Sequence, residues 1–277
     1  MPRPNWTRCG ARCGRTATTR RWRAPRRGSA RWPRRSPPAS PGRVSCLNQE
    51  QTGTTIDGGY AEVAYARASG LVRIPDGLTP VEAAPLLCAG LTAFTALRHG
   101  ARPGALVAVQ GIGGLGHLAL QYAAKLGYRV AAVARGTQKE ELARQLGAGH
   151  YIDAAGTDPG AALRGLGGAA VIVATAASGA SMNPLVRGLA PGGTLVVAGA
   201  APDPLTVATP DLLFGTRSIA GHLTGTPIEN EDALAFSLAH GIRPWTEALP
   251  FAAAPAAYER MLSGKARFRV VLDIIRS

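Results

Sequence analysis

From about residue 106 onward the chain alternates short apolar runs with amphipathic stretches. The runs at 106–110, 129–134, 169–174 and 194–198 are built mainly from Val, Ala, Leu and Ile, and together with 150–153 and 217–221 they read as strands. Between them the spacing predicts helices: one ending near 126, then 138–146, 161–166, 182–189 and 229–240. Strands that alternate with helices need crossover connections, which give a parallel sheet covered on both faces. Six strands in this arrangement match a doubly wound dinucleotide-binding fold.

Upstream, residues 59–65 predict a strand entered through the Gly58-Gly59 turn, and 71–75 a second short strand closed by Pro75 and Gly77. Thr79-Pro80-Val81-Glu82 carries a helix start: Thr79 as cap, Pro80 in the first position, Glu82 in the third. Residues 86–98 continue as helix. The tail, 251–275, predicts a short helix and a terminal strand at 268–274.

Composition changes this picture at the N-terminus. Residues 1–43 are rich in Arg, Pro, Ala, Ser and Gly, with neither helical nor strand period. Prolines break regular ladders, and little apolar surface offsets the ordering entropy, so this zone reads as disordered. The charge is concentrated there as well. Residues 1–50 hold 13 arginines, no lysine and one acid, Glu50, a net +12; the remaining 227 residues hold 18 basic and 16 acidic groups, a net +2. The body therefore has no basic field of the kind that binds nucleic acid. No apolar run reaches the roughly 18 residues of a membrane span. The N-terminus lacks the apolar core of a secretory signal, so a cytoplasmic protein is expected. The four cysteines, Cys9, Cys13, Cys46 and Cys88, form no C-x-x-C pair, and no disulfide framework is expected.

Gly111-Ile112-Gly113-Gly114-Leu115-Gly116 satisfies G-x-G-x-x-G between a strand and a helix, the context that gives the pattern its meaning. Gly111 serves a tight turn, Gly113 lets backbone approach a pyrophosphate, and Gly116 lets helix and strand pack closely. The helix start adds free N–H groups and a positive dipole end. At the end of the second strand an acid would bind a ribose 2′-hydroxyl and repel a 2′-phosphate. Here the sequence reads Ala134-Arg135-Gly136-Thr137-Gln138-Lys139, with no acid before Glu140. Arg135 and Lys139 suit a 2′-phosphate, so NADP is expected over NAD. The histidines His99, His117, His150, His222 and His240 show no metal-ligand spacing and read as structural.

Several blocks, in order, resemble the zinc-dependent alcohol dehydrogenases of the medium-chain dehydrogenase/reductase superfamily. They are Cys46-Leu47-Asn48-Gln49, Asp57-Gly58-Gly59-Tyr60-Ala61-Glu62, Ala84-Pro85-Leu86-Leu87-Cys88-Ala89-Gly90-Leu91-Thr92-Ala93, the glycine loop, and Gly264-Lys265-Ala266-Arg267-Phe268-Arg269-Val270-Val271-Leu272. The resemblance spans residues 44–277. It implies hydride transfer between NAD(P) and an alcohol or aldehyde, with zinc polarising the oxygen. It implies that Cys88 matches a catalytic zinc ligand and Cys46 a structural one. It places Thr92 beside the nicotinamide as a catalytic-site residue, Arg269 on the pyrophosphate, and Ala176 and Gly199 along the cofactor with Gly114 and Leu115 of the loop. It also implies a homo-oligomer joined through 217–221.

The pattern is broken upstream. No histidine precedes His99, Cys9 and Cys13 sit in no family context, and residues 1–43 resemble nothing in a GroES-like barrel. One ligand cannot hold a catalytic zinc, so both zinc sites are expected to be incomplete, the metal lost and alcohol oxidation impaired. The junction near Arg43 reads as a change of reading frame or start; a basic arm and an organellar targeting segment are the other readings. The expected organisation is a disordered segment over 1–43, the remnant of a GroES-like catalytic domain over 44–89, an α/β Rossmann domain with a doubly wound parallel sheet over 90–243, and a return to the catalytic domain over 244–277. A zinc-free, quinone-reductase-like oxidoreductase and a non-catalytic nucleotide-binding protein are the alternatives.

Overall fold

The computed structural model describes residues 19–21 and 51–274. The disorder expected over 1–43, and the positions of Cys9, Cys13 and Cys46, lie outside the described residues except for 19–21. The chain divides into two compact units, Met1–Leu71 and Val72–Ser277.

In the first unit, β1 (Thr19–Arg21) pairs antiparallel with β2 (Tyr65–Arg67), Arg20 opposite Ala66. The strand expected at 59–65 is absent: residues 59–63 are bends, and pairing begins only at Tyr65. Gly58 and Gly59 start an irregular segment rather than a hairpin.

Residues 71–75, where the first unit ends and the second begins, are also not a strand. Among the described residues no neighbour offers them a ladder, and a lone apolar run gains nothing by extending. α1 (Pro80–Pro85) starts as expected: Thr79 Oγ1 accepts from Glu82 N–H at 3.2 Å, and Glu82 Oε2 accepts from Thr79 N–H at 2.8 Å. The helix predicted over 86–98 is present to Ala96, but its first part is widened into a π-turn, Leu86–Gly90, before α2 (Leu91–Ala96).

The six expected strands are β3 (Leu106–Gln110), β4 (Arg129–Ala134), β5 (His150–Asp153), β6 (Ala169–Ala174), β7 (Leu189–Val197) and β8 (Ser218–Gly221). They form one parallel sheet in the order β5-β4-β3-β6-β7-β8. α3 (Gly116–Lys125), α4 (Glu140–Gln145), α5 (Pro159–Gly165), α6 (Gly179–Met182), α7 (Thr209–Leu213) and α8 (Pro227–His240) are the crossover and flanking helices. Strand residues alternate between two cores. Val107, Val109, Val130 and Val171 face Phe94, Leu118, Tyr122 and Leu234, while Leu106, Ala108, Val133 and Ile172 face Leu163, Met182 and Leu185. Burial on both sides explains why the central strands β3 and β6 carry no polar alternation.

Two elements were not legible in the sequence. β7 begins at Leu189, ahead of the Pro191-Gly192-Gly193 turn expected to precede it, and its register shifts against β6 between Ala169 and Val171. β9 (Thr246–Pro250) pairs in parallel with the expected terminal strand, β10 (Arg269–Asp273), around α9 (Ala254–Leu262). No helix among the described residues is long and apolar enough to cross a membrane. Leu86 is buried, whereas Leu71 and Ile74 are exposed.

Candidate functional site

The chain leaves β3 for β4 and β5, then returns past it to β6. The carboxyl ends of β3 and β6 therefore bound a crevice where the winding direction reverses. Thr175 ties the two ends together: its Oγ1 lies 2.9 Å from both the Gln110 and the Gly111 carbonyl oxygens. Gln110, the one polar residue of an apolar strand, donates through Nε2 to Ser181 Oγ at 2.8 Å. A cleft of about 620 Å³ opens here, lined among others by Gly111, Ile112, Ala134, Arg135, Lys139 and Ala176.

The glycines of the loop answer to different neighbours. Gly111 has φ +89°, and a Cβ there would lie 2.8 Å from Thr175 Oγ1. A Cβ on Gly116 would run into the Gly111 carbonyl oxygen, which is the close helix–strand approach expected. On Gly114 it would lie 2.7 Å from Arg269 Nε. Gly113 differs: φ is not positive and nothing lies within 4 Å of its Cβ position. The N–H groups of Gly113, Gly114 and Leu115 donate to no acceptor among the described residues. An open face with free donors at the start of a ten-residue helix fits a phosphate group.

His117 holds this loop from behind. It is fully buried, and its Nδ1–H donates to the Gly113 carbonyl at 2.8 Å while Nε2 accepts from Trp245 N–H at 3.2 Å. These partners set a neutral ring. Burial is the main cause pushing its pKa down to about 4, against the hydrogen bond to Gly113. The ring also packs on Phe268, centroids 4.9 Å apart, so the tail is fixed to the loop. The sequence reading of His117 as structural matches this geometry.

Four cations, Arg269, Lys139, Arg135 and Arg267, lie at or near the loop. Arg269 Nε donates to Gly114 O at 3.1 Å, and burial lowers its pKa, partly offset by nearby Cys88. Lys139 Nζ donates to Ile112 O at 2.7 Å; burial, then Arg267 and Arg135, lower its pKa. Arg135 is exposed at the cleft. None of the four has a carboxylate partner among the ion pairs of the described residues. The turn after β4 is itself fixed: Asp153 Oδ1 accepts from Gly136 N–H at 2.7 Å, and Tyr151 OH donates to Gly136 O.

The remaining expected residues are less closely gathered. Ala176 lines the cleft, whereas the Cβ position of Gly199 faces the Thr175–Ala176 backbone. Thr92 is buried, its Oγ1 donating to Leu223 O at 3.1 Å. Cys88 is exposed on the π-turn rather than packed as a small apolar residue. Among the described residues no three His, Cys, Asp or Glu side chains come together to hold a metal. The described residues therefore do not fit a catalytic zinc, which needs three protein ligands. The structure brings together one pair the sequence did not show: His99 meets His222 edge-on at 5.6 Å, and His222 Nε2 lies 2.9 Å from Thr95 Oγ1.

Comparison with known proteins places these features in a family context. Residues 114–239 match the zinc-binding dehydrogenase family model. The chain is 45% identical over 230 residues to the alcohol dehydrogenase patD of Penicillium expansum, covering 83% of this chain and 67% of that one. Among solved structures it resembles the alcohol dehydrogenase of the archaeon Aeropyrum pernix, with 30% identity, a TM-score of 0.74, and 82% and 68% of the two chains covered. It also resembles the Helicobacter pylori protein CAD, solved in complex with NADP(H), with 27% identity, a TM-score of 0.67, and 79% and 62% covered. The chain thus spans 62–68% of the length of these relatives.

Proposed function

The chain belongs to the zinc-type alcohol dehydrogenases of the medium-chain dehydrogenase/reductase superfamily, and from that membership we propose that it binds NADP(H) on the glycine loop for hydride exchange with an alcohol or aldehyde. The observation that carries this reading is Gly113, open and with free donors in a loop whose other glycines are each explained by protein atoms.

In this reading the N–H groups of Gly113, Gly114 and Leu115 take the pyrophosphate, and Arg269 neutralises it from the Gly114 side. Lys139 steadies the loop through the Ile112 carbonyl. Arg135 takes the 2′-phosphate. Ala176 and Gly199, at the ends of β6 and β7, border the path toward the nicotinamide, and Thr92 stands beside it. Bound dinucleotide supplies the hydride carrier; the chain binds it, orients it and limits water around it. The organisation into 1–43, 44–89, 90–243 and 244–277 and a cytoplasmic location go with this proposal.

Cofactor choice is tested by titrating NADPH and NADH into the protein and into Arg135→Ala, following nicotinamide fluorescence. A guanidinium on a phosphate is a charge-assisted contact, so the protein should favour NADPH by about tenfold or more. Arg135→Ala should erase most of that difference while leaving NADH affinity unchanged. Equal affinities in the unaltered protein would remove the preference.

A homo-oligomer is proposed as well. β8 closes one edge of the sheet, and Ile219, Leu213 and Phe214 are exposed near it. An unpaired apolar edge invites pairing with a second copy across a two-fold axis. Light scattering should give a dimer or a multiple of it, with Ile219→Lys shifting the mass to the monomer. A monomer at high concentration in the unaltered protein would contradict this.

A further inference from the structure

Between Leu86 and Gly90 the helix widens. The Leu91 N–H reaches the Leu86 carbonyl, five residues back, so the Leu87 carbonyl loses the donor that an α-turn would give it. A carbonyl left in this way needs another partner. Asn230 of α8, 143 residues away in sequence, supplies it: its Nδ2 donates to Leu87 O at 3.0 Å. Asn230 is 9% exposed, and its Oδ1 is the sole buried side-chain N or O atom among the described residues with no partner. A side chain that leaves its own acceptor orphaned is a poor choice for packing alone. A leucine of similar size would fill the space without that cost.

The widened turn has two consequences. It turns Cys88 outward, where it lies within electrostatic reach of Arg269, the residue that grips the glycine loop. It also sets the start of α2, and with it Thr92 against the Leu223 carbonyl.

We infer that Asn230 is a positioning residue: by capping the Leu87 carbonyl it holds open the turn that presents Cys88 and Thr92 at the cofactor end of the glycine loop. The inference rests on the reading of that loop as the dinucleotide site, and its test separates the two.

Iodoacetamide labelling of Cys88 is followed by peptide mass spectrometry, which resolves it from the three other cysteines, with and without NADPH. The proteins are the unaltered chain, Asn230→Leu, Asn230→Asp and Ser237→Ala. Ser237, on the same helix, bonds Tyr122 OH and serves as the control for general loosening. Both Asn230 variants remove the donor at neutral pH, and Asn230→Asp decides the matter where Asn230→Leu does not fold. The expected result is a change of about fivefold or more in the Cys88 labelling rate for the Asn230 variants, a shift equivalent to the smaller end of single-site effects. Ser237→Ala should label at the unaltered rate. NADPH should slow labelling in the unaltered protein and much less in the Asn230 variants. Unaltered labelling in both Asn230 variants, or an equal shift in Ser237→Ala, would overturn the inference. Failure of NADPH to bind the unaltered protein would instead overturn the reading of the loop, with the cofactor-free rates still deciding on Asn230.

Discussion

Gly113→Val is expected to abolish dinucleotide binding and leave the protein folded. The backbone at Gly113 is of a kind any residue adopts, and no protein atom lies within 4 Å of the Cβ position, so the fold tolerates the side chain. The space it fills is the space a pyrophosphate needs. Affinity for NADPH should fall by roughly a hundredfold or more, with a melting temperature close to the unaltered value. Gly116→Val provides the contrast, since its Cβ collides with the Gly111 carbonyl oxygen. That variant should fail to fold. The two substitutions lie three residues apart in one motif and separate the ligand's demand for glycine from the fold's. Unchanged NADPH affinity in Gly113→Val would remove the loop from the site.

The second large effect is on stability against pH. His117 is neutral in the folded protein with a pKa of about 4, against an ordinary value of 6.5 when unfolded. Below pH 6.5 the unfolded chain takes up a proton that the folded chain refuses, so stability is complete above 6.5 and is lost as pH falls toward 4. The loss should reach about 2 kcal/mol between about pH 7 and about pH 5. Glu82, whose pKa is lowered chiefly by its bonds to Thr79 with Arg243 adding to it, loses its contribution further into acid, as pH falls through its own lowered value. Urea midpoints across this range should fall steeply in the unaltered protein. In His117→Phe, which keeps the stacking on Phe268 but cannot titrate, they should start lower and stay nearly flat. A parallel slope in both proteins would assign the acid sensitivity elsewhere.

The parts of this structure that repeat were legible in the sequence. Ala169–Ala174 is apolar throughout and Arg129–Ala134 is apolar after its first residue, so these strands could be read directly, whereas the helix expected at 182–189 is instead the short α6 followed by a 3-10 turn, Asn183–Gly188. The glycine loop was legible because its spacing between a strand and a helix is local in sequence. Features that depend on distant partners were not. β9 has an undistinguished sequence, and only β10 makes it a strand. The run at 71–75 has strand-like residues and no ladder to join. The π-turn cannot be seen without Asn230, nor the role of His117 without Trp245 and Phe268. Lys139 illustrates the limit at the site itself. Its position in sequence suggested a 2′-phosphate ligand, yet its amine is engaged by the Ile112 carbonyl, leaving Arg135 as the exposed cation. Gln110 and Thr175 carried a weak signal, as polar residues at the ends of apolar strands, and they join β3 to β6.

Hydrogen–deuterium exchange with and without NADPH tests the central claim most directly, because it reads the loop amides themselves. The N–H groups of Gly113, Gly114 and Leu115, which have no acceptor among the described residues, should exchange fast in the free protein and become strongly protected on binding. Protection confined to other segments, with these amides still exchanging fast at saturating NADPH, would contradict the account.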